Sequence, residues 1–481
     1  LYDNCAVFNP CNNKLFNILT YLDKSEIVRC RKYLHSPYFN NSENLANLYE
    51  LFLELVVKDA EEIPKEKIWK KIFPKEKYDD VRFRKLCSDL LKLIEGFLAQ
   101  QLYEENPIRQ ATHLIEAVAR KKMLKLYNTA MKTARLLSER QLYQPANHYF
   151  YEYQIERNYY DILSHQEKRV SKTNVENIVK NLDIFYLAEK LKYYCSVLSR
   201  QYQVSHEYKL LFIDEIIAHL SKHDYTHIPS IEVYYQILLT QTESEHQVHY
   251  FKLKEYLQKY SHLFPLGEAY EIYTYALNYC IRMTNAGVKD FLNEYFIVYK
   301  ELLQKNIINF SDEEHGPPHF KNIILASLRL GEYDWTEKFI NDYKDQLPAD
   351  QRDNAVTFNL AQLYFYKNAY NKVIRYLHQV EYEDLTYNLN SKVILMCTYY
   401  ELDEIEPLYS LMESFRVYLQ RNNKIAANRR QNYINFIKFI KKLTKLIAGD
   451  KKRIAQFLEE LAGTTGVVSS DWLRRKAEEL M

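Results

Sequence analysis

Apolar side chains recur every three or four residues along nearly all of this chain, the period of an amphipathic α-helix and not the alternation of a strand. The pattern is sharpest near the start. Asp23-Lys24-Ser25-Glu26 reads as a capping box that opens a helix through Tyr33, and Ser36-Pro37 stops it, because the residue before proline is pushed out of the α region. Leu45, Leu48, Leu51, Phe52 and Leu55 make one stripe of a second helix from Ser42. Ile63-Pro64 starts a short helix through Ile72 that Pro74 closes, and Asp79-Asp80 caps a long one carrying Phe83, Leu86, Leu90, Ile94 and Phe97. Short helix, tight connection and long helix together have the outline of a helix-turn-helix.

From Asn106 to Asn309 the chain continues as helices of three to five turns with brief polar joints such as Leu142–Gln144 and Thr226–Ser230. The two longest runs, Ala117 to Leu137 and Asn174 to Val204, are expected to be paired helices.

Composition narrows the class. Eight glycines and twelve prolines in 481 residues leave too few turn formers for a β or α/β architecture. The glycine positions also cannot write either phosphate-binding loop, G-x-G-x-x-G or G-x-x-x-x-G-K-[ST]. The 44 tyrosines fall at helical spacing, as residues that pack in the core and bring a hydroxyl to its rim. Seven cysteines, scattered without a C-x-x-C pair, suit reduced thiols. With no 18-residue apolar run and no signal-peptide pattern at Leu1–Phe8, the expected setting is cytoplasmic, without a transmembrane segment.

A repeat is legible from Phe320 to Phe415. Gly331-Glu332-Tyr333, Asn368-Ala369-Tyr370 and Asp403-Glu404-Ile405 are spaced by 37 and 35 residues, each between two amphipathic stretches. In that register Tyr364 and Tyr399 lie four residues before the turn, where the first unit has Ser327; Leu360 and Leu395 recur in the first helix, and Ile340, Leu377 and Met412 in the second. This resembles the tetratricopeptide repeat, a helical hairpin of about 34 residues. Thr336, Val373 and Leu408 stand where that family has a small residue, so looser or different packing between layers is expected. The resemblance implies an α-solenoid of stacked antiparallel hairpins and a concave groove for a protein or peptide. It places Lys321, Arg329, Gln362, Tyr366, Asn390 and Tyr400 in that groove. Their aromatic character points to an apolar or mixed peptide.

The expected organisation is an all-α protein. It comprises a small N-terminal helical domain over 14–105 with the helix-turn-helix at 63–99, a helical repeat region over 106–316, tetratricopeptide-like repeats over 317–415 and basic helices over 416–481.

Charge and chemistry supply the alternatives. The chain carries only +2 overall, but twelve Lys or Arg and one Asp lie between Arg416 and Arg453, a net +11 over 38 residues. Tyr433, Phe436, Ile437, Ile440, Leu443 and Ile447 form an apolar stripe through that tract. Arg429, Arg430, Lys438, Lys441, Lys442 and Lys445 are its candidates for phosphate backbone or an acidic partner, and its amphipathic character would also suit an anionic membrane surface. Arg82, Arg84 and Lys85 open the long helix of the helix-turn-helix, where a recognition helix reads DNA. A winged helix ahead of helical repeats resembles some bacterial transcriptional activators, although the long helix runs into Gln100-Gln101-Leu102-Tyr103 without a glycine-turned wing. Arg200 and His206 have the Arg-x-x-x-x-x-His spacing of the HEPN ribonucleases, which that resemblance would make a nuclease pair. His219, His223 and His227 are four apart, but the polar tract ending at Pro229 is expected to break the helix between them. His246 with His249, and His315 with His319, read as solvated loop histidines. With no cofactor, metal or nucleophile motif, the expectation is a non-enzymatic scaffold for protein–protein interaction, and the alternative is a nucleic-acid-binding regulator.

Overall fold

A computed structural model describes residues 7–8, 13–57, 63–165, 174–201, 208–288, 290–312, 315–378 and 385–481. The chain is all-α. Its only extended pairing among the described residues joins β1 (Val7–Phe8) to β2 (Ile63–Pro64), antiparallel, with Phe8 opposite Ile63. None of the described helices is long and apolar enough to cross a membrane. Two compact units divide it, Leu1–Lys190 and Leu191–Met481.

The first unit contains α1 (Lys14–Tyr21), α2 (Lys24–Leu34), α3 (Glu43–Val57), α4 (Lys65–Ile72), α5 (Asp80–Glu104), α6 (Pro107–Arg120), α7 (Leu124–Glu139) and α8 (Ala146–His165). The capping box of α2 forms as read. Glu26 N–H donates to Asp23 Oδ1, and Asp23 N–H donates to Glu26 Oε2, each at 2.8 Å. Helices α1 to α5 share one core in which Leu48, Tyr49, Phe52, Leu90 and Ile94 are fully buried, and Trp69 of α4 joins Phe83 of α5 there. Lys122 ends α6 at φ 55°, so the run from Ala117 to Leu137 is indeed two helices.

The other long run is not. Helix α9 (Val175–Gln201) is continuous. It contains neither glycine nor proline, and its apolar residues fall on every face, so length alone suggested a joint; residues 202–204 at the end of that run lie outside the described residues.

The second unit holds α10 (Ile213–Leu220), α11 (Pro229–Thr242), α12 (Val248–Tyr260), α13 (Leu266–Asn285), α14 (Asp290–Gln304), α15 (Gly316–Arg329), α16 (Tyr333–Tyr343), α17 (Ala349–Tyr366) and α18 (Tyr370–His378). It continues with α19 (Leu385–Glu401), α20 (Ile405–Arg421), α21 (Ala427–Leu443), α22 (Lys451–Gly463) and α23 (Ser470–Glu479). Each helix from α11 to α21 packs on its successor, and α11 also packs on α13, α15 on α17, and α17 on α19.

The turns have one construction. Gly331, Asn368 and Asp403 adopt φ of 79°, 56° and 58°, and the next N–H reaches back to the carbonyl of Ser327, Tyr364 and Tyr399, respectively, at 2.8–2.9 Å. That is a Schellman closure, which needs a residue tolerant of left-handed backbone; glycine, asparagine and aspartate are the residues that supply it. Gly287 (φ 88°) closes α13 in the same way, with Val288 N–H on the Met283 carbonyl at 3.0 Å.

At the positions where looser or different packing between layers is expected, the side chains are enclosed. Thr336, Val373 and Leu408 are all fully buried. In the first unit the pair Ser327 and Thr336 replaces an aromatic and a small residue, and the Thr336 hydroxyl donates to Ser327 Oγ at 2.7 Å.

Helix α21 is covered on two sides. Besides the stripe read from the sequence, Phe439 is fully buried and meets Phe457 of α22 edge to face, with ring centres 5.6 Å apart. Ile447 does not belong to the stripe: α21 ends at Leu443, and Ile447 is 63% exposed.

Candidate functional site

The tyrosines link helices through carboxylates. Glu268 takes Tyr234 (2.7 Å) and Lys192 (3.2 Å); Glu294 takes Tyr250 (3.0 Å) and Lys254 (2.6 Å); Glu301 takes Tyr273 (2.6 Å) and Lys305 (2.8 Å). Glu337 takes Tyr364 (3.4 Å) and Lys367 (2.7 Å). In each, a phenol reaches the edge of its layer and a lysine neutralises the acceptor, which satisfies a partly buried charge.

Aligning the four equivalent turns brings Asn285, Arg329, Tyr366 and Glu401 to one position, two residues before the left-handed residue, on α13, α15, α17 and α19. An open crevice of about 190 Å³ lies at the first two, lined by Ile281 and Asn285 of α13, Leu292 and Tyr295 of α14, and Leu325 and Arg329 of α15. Its lining is mixed: Ile281, Leu292, Leu325 and Ala326 are apolar, and Thr284, Asn285, Asn322, Tyr295 and Arg329 bring polar groups. Next along, Tyr366 is half-buried; burial raises its hydroxyl above the usual tyrosine range, and Arg329 and Arg475 pull the other way. The Tyr333 ring stands 6.4 Å from it.

The other groove candidates are placed as follows. Lys321 is half-buried on α15. Gln362 is half-buried on α17 with its Oε1 enclosed and unbonded. Asn390 accepts a hydrogen bond from the Tyr433 hydroxyl of α21 at 2.9 Å. Tyr400 meets Trp472 of α23 edge to face, ring centres 5.4 Å apart. The structure therefore brings Arg329 and Tyr366 together, with Arg329 at the crevice and Tyr366 also near Arg475 of α23, and it seats Asn390 and Tyr400 against the C-terminal helices. Glu401 was missed. The signal was present in the register, since Glu401 holds the position of Arg329 and Tyr366.

The basic candidates are largely matched by acids or carbonyls. Arg82 pairs with Glu76 and lies over the Phe73 ring, 4.3 Å from its centre; Arg84 pairs with Asp80 at 2.6 Å; Lys85 is exposed. Asp80 also accepts from Tyr78 (2.7 Å) and Lys65 (3.3 Å), and the Tyr78 hydroxyl is the main cause holding its carboxyl below the usual range. In the C-terminal tract Arg429 donates to Thr386 Oγ1 (3.2 Å), and Arg430 donates to the Asn422 and Ile425 carbonyls (3.0 and 3.2 Å). Glu460 pairs with Lys442 and with Lys438 (2.9 Å), and those two keep its carboxyl below the usual range. Lys441 and Lys445 are exposed.

The histidines resolve into structural roles. Helix α10 ends at Leu220, before His223 and His227, and His219 Nε2 lies 2.9 Å from the Tyr225 hydroxyl. Among the described residues, no three His, Cys, Asp or Glu side chains converge as a metal site. His319 and His249 are not loop residues. His319 sits on α15 between the hydroxyls of Tyr270 (2.5 Å) and Tyr299 (2.9 Å), and burial pushes its imidazole below the usual range. His249, in the first turn of α12, contacts Gln236 and Glu243, each at 3.0 Å. Pro317 and Pro318 stand in the first turn of α15, a position that costs no backbone bond. Arg200 lies on α9, whereas His206 is outside the described residues. Burial raises the thiols of Cys30 to about 11 and of Cys87 and Cys280 to about 12, so none is a ready thiolate at neutral pH.

No known family model matches the chain, and no curated protein is significantly similar to it.

Proposed function

We propose that the chain is a non-enzymatic helical-repeat scaffold, a tetratricopeptide-like solenoid that holds a partner polypeptide along the first helices of its hairpins. The observation that carries this reading is the shared register of Asn285, Arg329, Tyr366 and Glu401, with an open crevice of mixed lining at the first two. Such a series offers a partner one side chain per hairpin at regular spacing, while Ile281, Leu292 and Leu325 offer an apolar slot. The partner best suited is a mixed peptide, with an apolar residue for the slot and a polar or acidic one for Arg329. The buried free thiols favour a reducing, cytoplasmic setting.

Co-purification with the tagged chain from its source cells tests the proposal. Leu325→Arg, which puts a charge into the slot, is expected to lose the partner, and Lys452→Glu, at the exposed start of α22, is expected to keep it. Equal retention by both variants would refute the inner-face reading.

A further inference from the structure

Two guanidiniums from distant parts of the chain meet at one half-buried phenol. Arg329 ends α15 and stands at the crevice with Asn285 and Asn322. Tyr366 holds the same register one hairpin on, at the end of α17, and Arg329 acts on its hydroxyl both as a charge and as a hydrogen-bond partner.

Arg475 arrives from α23. That helix is fixed against the end of α19 by the Trp472 indole N–H, which donates to Glu401 at 2.9 Å, and by the Lys476 ammonium, 2.8 Å from the same carboxylate. Arg475 follows Trp472 by three residues, so it shares the face of α23 that these two anchor. Its charge acts on the hydroxyls of Tyr366 and Tyr370 and on the thiol of Cys397, which places it over the ends of α17 and α19.

Both arginine side chains are exposed, and neither forms an ion pair among the described residues. The acids beside Arg475, Glu401 and Glu479, are both taken up by Lys476, at 2.8 and 2.7 Å. Burial raises the Tyr366 hydroxyl above the usual tyrosine range, so it stays protonated and able to donate at neutral pH. Two positive charges and a phenol O–H thus face one corner with no acid of the described residues to receive them.

We infer, on the inner-face reading, that Arg329, Tyr366 and Arg475 form a site for a phosphate monoester, presented by a phosphorylated side chain of the partner polypeptide. A monoester carries about −1.5 to −2 charge at neutral pH and three acceptor oxygens, which matches two guanidiniums and a phenol. A carboxylate would leave one guanidinium unmatched, and a nucleic-acid diester likewise carries a single charge. Leu325 lies one turn before Arg329 on α15, so an apolar residue beside the phosphorylated one reaches the crevice.

Titration calorimetry of the full chain at about pH 7.5 and about 0.15 M salt tests the site with four probes. They are N-acetyl-O-phosphoserine amide, inorganic phosphate, the α-amide of N-acetylglutamic acid, and dimethyl phosphate. The phosphoserine probe is expected to bind with a Kd of about 1 mM or tighter, at least about ten-fold more tightly than the glutamate probe or dimethyl phosphate. Arg329→Gln and Arg475→Gln should each weaken it at least about ten-fold. Arg474→Gln, at the exposed neighbour of Arg475, should leave it unchanged. No binding of the phosphoserine probe up to about 20 mM, or binding that survives either substitution, overturns the inference. So does equal binding of the glutamate probe or dimethyl phosphate, and so does binding of inorganic phosphate alone, which would make this a site for the free ion. The probes need no native partner, so the outcome is independent of whether Leu325→Arg releases one.

Discussion

The hydroxyls of Ser327 and Thr336 meet at 2.7 Å in the fully buried interior of the first hairpin, where the following two hairpins place a tyrosine against a valine or a leucine. The pair replaces packing volume with a hydrogen bond. Thr336→Val is expected to cost about 1 kcal/mol, the usual net worth of a neutral buried bond. Ser327→Ala should cost a similar amount, and the double variant less than the sum, because each single change already breaks the shared contact. Urea unfolding of the three variants checks it.

The turn residues make a second prediction. Asn368 and Asp403 sit at φ 56° and 58°, where a β-branched side chain is strained by roughly 1–2 kcal/mol. Asn368→Val is expected to lower the unfolding midpoint, and Asn368→Gly to leave it unchanged or raise it. Thermal unfolding followed by circular dichroism distinguishes them.

Removing the carboxylate at Glu401 takes the acceptor from the Trp472 indole (2.9 Å) and leaves Lys476, which is 16% exposed, with Glu479 at 2.7 Å as its remaining acid. Glu401→Ala is expected to destabilise the second unit by about 2–3 kcal/mol, less than breaking an isolated buried pair because Glu479 still faces the ammonium. Restoring uncharged packing by Glu401→Leu with Lys476→Met should recover most of the loss, as denaturant titration would show.

His319 gives a pH dependence. Its imidazole is held below the usual range by burial, with His315 pushing the same way and Asp312 opposing, and its two nitrogens are taken by Tyr270 and Tyr299. In the unfolded chain the same group titrates near its ordinary value of about 6.5. Between that value and its lowered folded one, the unfolded chain binds the extra proton. Stability is therefore complete above about 6.5 and falls as the pH drops below it. The melting temperature should fall between pH 7.5 and pH 5.5, and His319→Gln should flatten that fall.

Arg82, Arg84, Lys438 and Lys442 are paired with acids, which offsets part of the basic charge, while Lys85, Lys441 and Lys445 remain exposed. Anisotropy with a 20-base-pair duplex at 0.15 M salt is expected to give binding no tighter than about 10⁻⁴ M, the weak end of non-specific association. Tight binding with a steep salt slope would favour the nucleic-acid alternative.

Much of the fold was legible because its punctuation is local. Asp23 and Glu26 announce a helix start, and Gly331, Asn368 and Asp403 announce turns, through preferences that need no tertiary context. Lys122 makes the same left-handed turn without being a turn residue, and it was found only by the length of the run around it. The continuity of α9 was hidden by that same use of length. At the candidate site, Arg329 and Tyr366 followed from register, but Glu401 was passed over for its neighbour Tyr400, which faces Trp472. The hydrogen bond from Trp472 to Glu401 joins residues 71 apart, and nothing in the short-range pattern of either segment signals the other.

The most direct test is photo-crosslinking from the inner face in the source cells, with a diazirine amino acid replacing Leu325 in the crevice and, as control, Lys452 at the exposed start of α22. The account predicts a discrete polypeptide adduct from position 325 that disappears when Arg329→Glu is added and is absent from position 452. No adduct at 325, or the same adducts from both positions regardless of Arg329, would contradict it.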